Sequence, residues 1–103
     1  MKIYIKLMKS PLKNKKHRML FYVDKGGRII KVKHTDFGDS RYSDFTIHKD
    51  ENRKDRYLTR HMKNEDWSKF LTAGSLSRWV LWNKPDLKDS LEDYADKFNL
   101  IIL

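Results

Sequence analysis

Apolar and polar residues alternate from the start of the chain. In "KIYIKLM", Ile3, Ile5 and Leu7 alternate with Lys2, Tyr4 and Lys6, a period of two that predicts a strand with one buried face. Two further runs, "RMLFYV" and "GRIIKVKH", flank Asp24-Lys25-Gly26-Gly27, whose glycines accept the positive φ angles of a tight hairpin. Strict alternation in the third run places Arg28, Ile30, Val32 and His34 on one side and Ile29, Lys31 and Lys33 on the other. One face of the sheet is therefore expected to be strongly basic. The following "HTDFGDSRYSDF" reads as an irregular connection through Gly38.

The pattern then turns helical. Asp50 is placed to cap a helix running to about Met62, with Asp50 and Glu51 in its first turn and Arg60, His61 and Lys63 near its end, the charge order that suits a helix dipole. At 100° per residue Tyr57, Leu58, His61 and Met62 share one side, while Arg53, Arg56, Arg60 and Lys63 form a separate cationic ridge. A second helix is expected within "SLSRWVLW", with Ser75 as its cap and Trp79 and Trp82 on one face, ended by Asn83-Lys84-Pro85. Asp86 caps a third, in which Leu87, Leu91, Tyr94, Ala95 and Phe98 form an inward stripe and Asp89, Glu92, Asp93 and Asp96 lie outside it. The closing "NLIIL" is apolar enough for a last strand over 99–103, which becomes buried only by joining the N-terminal sheet. The expected architecture is α+β: a small antiparallel or mixed sheet of three N-terminal strands plus this C-terminal one, packed against about three helices.

Length supports one domain over 1–103, a basic β-hairpin region (1–34) followed by a mainly helical one (35–103). Charged residues are 36% and apolar ones 39% of the chain, so thirteen aromatic rings must supply much of the core, with Tyr57, Trp79, Trp82, Tyr94 and Phe98 the best-placed. Runs such as "MLFYV" and "LIIL" are far shorter than the roughly 20 residues that cross a bilayer, and no membrane association is expected. The absence of cysteine excludes disulfides and thiolate chemistry.

The net charge of +9 is unevenly distributed. Residues 1–34 hold eleven lysines and arginines against the single acid Asp24, whereas residues 35–103 hold twelve bases against thirteen acids. Lys9, Lys13, Lys15, Lys16 and Arg18 crowd one segment around Pro11 and Asn14. Such asymmetry suggests a polyanionic partner: nucleic acid, most simply non-specific DNA, or an acidic protein surface. Lys31 and Lys33 on the sheet and the ridge Arg53, Arg56, Arg60 and Lys63 extend the candidate anion surface. Tyr4 and Tyr22, on strands beside lysines, are candidates for an aromatic–basic surface. Trp79 and Trp82, set among Leu76, Val80 and Leu81, read as core instead.

Catalytic and metal readings are weaker. Asp44, His48 and His61 could converge as ligands, but the histidines are thirteen residues apart, and "DENRKD" lacks the glycine of a calcium loop. The favoured reading is a polar staple, in which Asp44 and His48 or His61 satisfy each other and the backbone where loop meets helix. No serine lies in a G-x-S-x-G elbow, and Gly26-Gly27 is too short for a phosphate loop. A phosphodiesterase with His48 or His61 as base and Arg56 or Arg60 as charge stabiliser has no motif behind it. Neither catalytic activity, metal nor cofactor is expected.

Three tracts carry a resemblance. Tyr42, Ser43, Asp44, Phe45, Thr46 and His48 fit Y-S-D-(Y/F)-T-x-H; Arg53, Lys54, Tyr57, Arg60 and His61 fit R-K-x-x-Y-x-x-R-H; Trp79, Leu81, Trp82, Asn83, Lys84, Pro85 and Leu87 fit W-x-L-W-N-K-P-x-L. In these the chain resembles a family of small basic proteins of uncharacterised function from large nucleocytoplasmic DNA viruses, the phycodnavirus and mimivirus groups. It departs at Ser75-Leu76, where that family carries an aromatic residue after Ala-Gly. The resemblance implies a viral accessory or virion protein, acting in the particle and in the host cytoplasm or viral factory, and it implies no chemistry. The expected role is thus non-enzymatic binding of the viral genome or an acidic capsid surface. A minor capsid or scaffold adaptor, docking by its aromatic and acidic helical surfaces, is the alternative.

Overall fold

A computed structural model describes residues 1–103. Strands β1 (Ile3–Lys9), β2 (Lys15–Lys25) and β3 (Arg28–Asp39) run antiparallel in sequence, and β4 (Ile101–Ile102) adds to β1 in parallel, giving the order β3-β2-β1-β4. Alternation fixes the buried face: Ile5, Met19, Phe21 and Phe37 are fully covered by the helices. Gly26 and Gly27 form the two-residue hairpin with φ of +60° and +84°, and the Asp24 carboxylate accepts the Gly27 N–H. The fold is α+β, with three N-terminal strands and a C-terminal one in a mixed sheet.

Two features of β3 depart from strict alternation. The strand continues through Asp39, so the first half of the expected irregular connection is strand, and Phe37 within it is a core residue. The register also slips by one residue between Phe21–Lys33 and Tyr22–Lys31, leaving Val32 as the extra residue of a bulge. Lys31 therefore shares the face of Tyr22 and Lys33 that of Phe21, and the two lysines expected on one face point to opposite sides. No helix reaches the outer half of this hairpin, where Arg28–His34 are all exposed.

Four helices follow. α1 (Phe45–His48), absent from the sequence reading, is a single turn capped by Asp44 and stopped at Lys49, whose φ is +58°. In α2 (Glu51–His61) the Asp50 side chain accepts the Asn52 and Arg53 N–H groups, as expected of a cap. α3 (Ala73–Leu76) is capped by Thr72; Ser75, expected in that role, lies inside the helix, buried, with its Oγ donating to the Asp66 carbonyl. A π-helical turn (Ser77–Leu81) continues α3 and turns Val80 and Leu81 into the core. α4 (Leu87–Phe98) runs from its Asp86 cap to Asn99.

The core joins the sheet to α3, the π turn and α4. Tyr94 is fully buried at its centre and its hydroxyl donates to the Phe70 carbonyl at 2.6 Å. Trp79, Trp82 and Phe98 pack around this cluster half-buried. Trp79 donates to the Trp67 carbonyl and is flanked by the Arg78 guanidinium at 4.2 Å and the Lys97 ammonium at 4.3 Å, so its ring faces are taken by internal cations. Tyr57 is buried apart from the main cluster, with its ring stacked on Trp82 at 4.2 Å and 3°.

Gly38, with φ of +81°, is where β3 passes closest to the helices: a Cβ there would lie 2.9 Å from Leu81 Cδ1 and 3.3 Å from Lys16 Cβ. Gly38→Ala is expected to cost about 1–3 kcal/mol through strain and overpacking. Equilibrium urea unfolding checks this, and an unchanged midpoint would show that the close approach is not required.

Candidate nucleic-acid interface and an adjoining cationic pocket

The connection from β1 to β2 folds back on itself. The Ser10 N–H donates to the Lys16 carbonyl and the Lys15 N–H to the Leu12 carbonyl, while Ser40 ties the loop to the end of β3 through Asn14 and Lys13. This holds Lys9, Lys13, Lys15 and Lys16 around one open depression of about 750 Å³, together with Ser10, His17 and Ser40. Arg18, expected among these cations, is turned away from that role. Its Nε and Nη2 donate to both carboxylate oxygens of Asp36, at 2.9 and 3.1 Å, and Ser10 completes the site.

Lys16 is shared with a second concavity of about 440 Å³ between the end of the β2–β3 ladder, α2 and the π turn. Arg53, Arg60, His61 and Tyr57 of α2 border it, opposite Ser43 and Asp44. Asp44 is 2% exposed and accepts the Lys16 ammonium at 2.6 Å, besides the Thr46 N–H and hydroxyl. The molecule contains three ion pairs, Lys16–Asp44, Arg18–Asp36 and Arg41–Asp39. Lys9, Lys13, Lys15, Arg53 and Arg60 belong to none of them. Both acids of the pocket are neutralised, Asp44 by Lys16 and Asp39 by Arg41, whose guanidinium and N–H hold the Asp39 carboxyl down at about 2. The pocket therefore keeps the uncompensated charge of Arg53 and Arg60.

The expected staple takes another form. Asp44 pairs with Lys16 and bonds to neither histidine. His48 Nδ1 accepts the Asp50 N–H at 3.0 Å, and His61 lies against Tyr57 with ring centres 4.2 Å apart. Ring contacts run in series from His48 to Trp82, Tyr57 and His61, at 5.3, 4.2 and 4.2 Å. Two other rings thus separate the imidazoles, and no group of three or more His, Asp or Glu side chains is arranged to hold a metal ion. The same series docks α2 on the segment before Pro85, aided by Lys54, which donates to the Asn83 carbonyl, and by Lys49, which donates to that of Pro85.

The remaining predicted cations are dispersed. Arg56 and Lys63 are exposed on α2 and just beyond it, away from the pocket. Lys33 borders a wide groove between β3 and Ser68–Ala73, and Lys31 lies across from Tyr22. Sequence reasoning did not single out Ser10, His17 or Ser40 around the depression, nor Gly38 or Asp39 in the pocket. Only the strand ladder, with its Lys15–Asp39 and His17–Phe37 pairs, brings these together.

The features that define the molecule are thus an α+β scaffold and one joined cationic surface. A model of a family of unknown function (DUF5754) matches residues 5–61, more than half the chain, and the chain belongs to that family. The matched span contains every residue of the depression and the α2 side of the pocket. No curated protein and no solved structure matches.

His17 and His48 both sit below their ordinary value of 6.5, chiefly because burial disfavours the charged ring. For His48, protonating Nδ1 also breaks its bond from Asp50. The unfolded chain therefore binds more protons near this value, and stability contributed by the neutral rings is present above about pH 6.5 and lost as pH falls below it. The urea midpoint is expected to fall between about pH 7 and pH 5, with a shallower fall in His17→Phe. A midpoint that rises over that range would contradict the burial of neutral imidazole.

Proposed function

We propose that this chain is a non-enzymatic accessory protein that binds nucleic acid through its phosphates with low sequence specificity. The resemblance of its motifs supports placing this role in the particle of a large DNA virus and in the infected cell that assembles it. The observation that carries the reading is the joining, at Lys16, of a four-lysine depression to a pocket whose two arginines have no carboxylate partner. Unpaired cations held this close repel one another, and a polyanion relieves that repulsion with release of its own counterions. Concave curvature suits a backbone better than base edges, and no recognised reading motif presents side chains from this surface to the major groove.

Each neutralised phosphate adds about 0.9 to the magnitude of the log–log salt slope on duplex DNA and about 0.7 on single strands. Engagement of about five cations therefore predicts a slope of about −4.5 on duplex and about −3.5 on single strands. Labelled DNA, with and without divalent metal, at rising salt tests this. Lys13→Glu/Lys15→Glu should reduce the slope by about 2 and weaken binding to all sequences alike, whereas Asp89→Lys/Glu92→Lys on α4 should not weaken it. No DNA binding, with capture of a protein partner that is lost on charge reversal of α4, favours the adaptor. Cleavage lost in His61→Ala favours a phosphodiesterase.

A further inference from the structure

The sheet has a second face, and no helix covers it. Tyr4 of β1 stands directly across from Tyr22 of β2. Both alternate with residues buried beneath the helices, Ile5 and Phe21, so the two rings share the open side. Lys6, two residues along β1, and Lys31, across from Tyr22, bring exposed ammonium groups to the same side, and neither is in an ion pair. Of the two acids there, Asp36 is neutralised by Arg18 and also bonded by Ser10, while Asp24, at the hairpin end, keeps its charge and accepts the Gly27 N–H. Leu20 and Ile101 fill in around the tyrosines as an apolar floor.

We infer that this open face binds unpaired bases, with Tyr4 and Tyr22 as the stacking rings and Lys6 and Lys31 drawing in the adjacent phosphates. The inference rests on the nucleic-acid reading above and narrows its ligand to single strands. Charge complementarity selects the occupant. The face offers π surface and the free cations Lys6 and Lys31 beside a neutralised Asp36, with Asp24 set at the hairpin end, which suits a base-and-phosphate chain. A second copy of this protein would instead bring its own lysines against these. A duplex keeps its base faces internal and has nothing to stack on the tyrosines. Along β1, Tyr4 is five residues from Lys9, about 17 Å at the strand rise, so the rings and the lysine depression lie toward opposite ends of this strand.

Anisotropy of a fluorescent single-stranded oligonucleotide of about 12 residues, and of the duplex made from it, tests this with the full chain. Tyr4→Ala and Tyr22→Ala are each expected to weaken single-strand binding about tenfold or more. Duplex binding should stay unchanged, and Tyr4→Phe/Tyr22→Phe should keep wild-type affinity because the rings remain. Because the aromatic pair also shields β1 and β2, the Phe variant guards against a folding artefact, and far-ultraviolet circular dichroism of the Ala variants confirms that they fold. Equal losses on both ligands, or no loss, overturn the inference while leaving phosphate binding standing. Wild-type protein that binds neither ligand overturns the phosphate reading itself. Sedimentation showing a wild-type dimer that the Ala variants dissolve would assign the face to self-association, and binding of a polyglutamate peptide lost only in the Ala variants would assign it to an acidic protein. Either result excludes the proposal.

Discussion

The contact between Lys16 and Asp44 holds the cationic half of this molecule together. One partner lies on a strand, 15% exposed, and the other, 2% exposed, caps the short helix that leads into α2. Two charges taken out of water are stable there only because each is answered: Asp44 also receives the N–H and hydroxyl of Thr46. Removing one partner of such a pair strands the other, a loss of about 3–5 kcal/mol in comparable sites. The pair does more than hold two segments. Lys16 lines both concavities, so anchoring its ammonium sets the loop lysines at a fixed distance from Arg53 and Arg60.

Around that anchor the three motif tracts meet in space. Asp44 comes from the first, Tyr57 and Lys54 from the second, Trp82 and Asn83 from the third, and stacked rings with carbonyl-bound lysines join them. Most residues of these motifs are therefore architectural. They position a helix whose remaining members, Arg53, Arg60 and His61, are left facing the pocket. A rigid frame with uncompensated charge at its rim is what a binding surface requires, since cations already ordered lose little freedom when an anion arrives.

Much of the frame was legible from periodicity and caps. The glycine hairpin, Asp50 before α2 and Asp86 before α4 are local signals, decided by residues within four positions of one another. What escaped was set at longer range. Residues 35–39 read as a loop because Gly38 interrupts them, yet Phe37 is drawn into the core by partners on other elements. The bulge at Val32 reverses the facing of Lys33, and nothing local marks it. α1 is too short to show a period. Asp44 was recognised as a polar tie, but its partner lies 28 residues away, beyond the reach of spacing arguments, and the nearer histidines drew the assignment. The cationic crowding of the first third was plain in composition. That it would join Arg53 and Arg60 while excluding Arg18, Arg56 and Lys63 depended on the register of the β2–β3 ladder, which sets Arg18 against Asp36, and on the rotation of α2, which turns Arg56 and Lys63 away.

The central claim is that the lysine depression and the α2 pocket act as one anion surface welded at Lys16. Titrating isotopically labelled protein with a short oligonucleotide and following backbone amides by NMR tests it most directly. The account predicts that amides across Lys9–Arg18 and Arg53–His61 move together along a single binding curve, with α4 unmoved. Separate midpoints for the two regions, or shifts confined to α4, would contradict it.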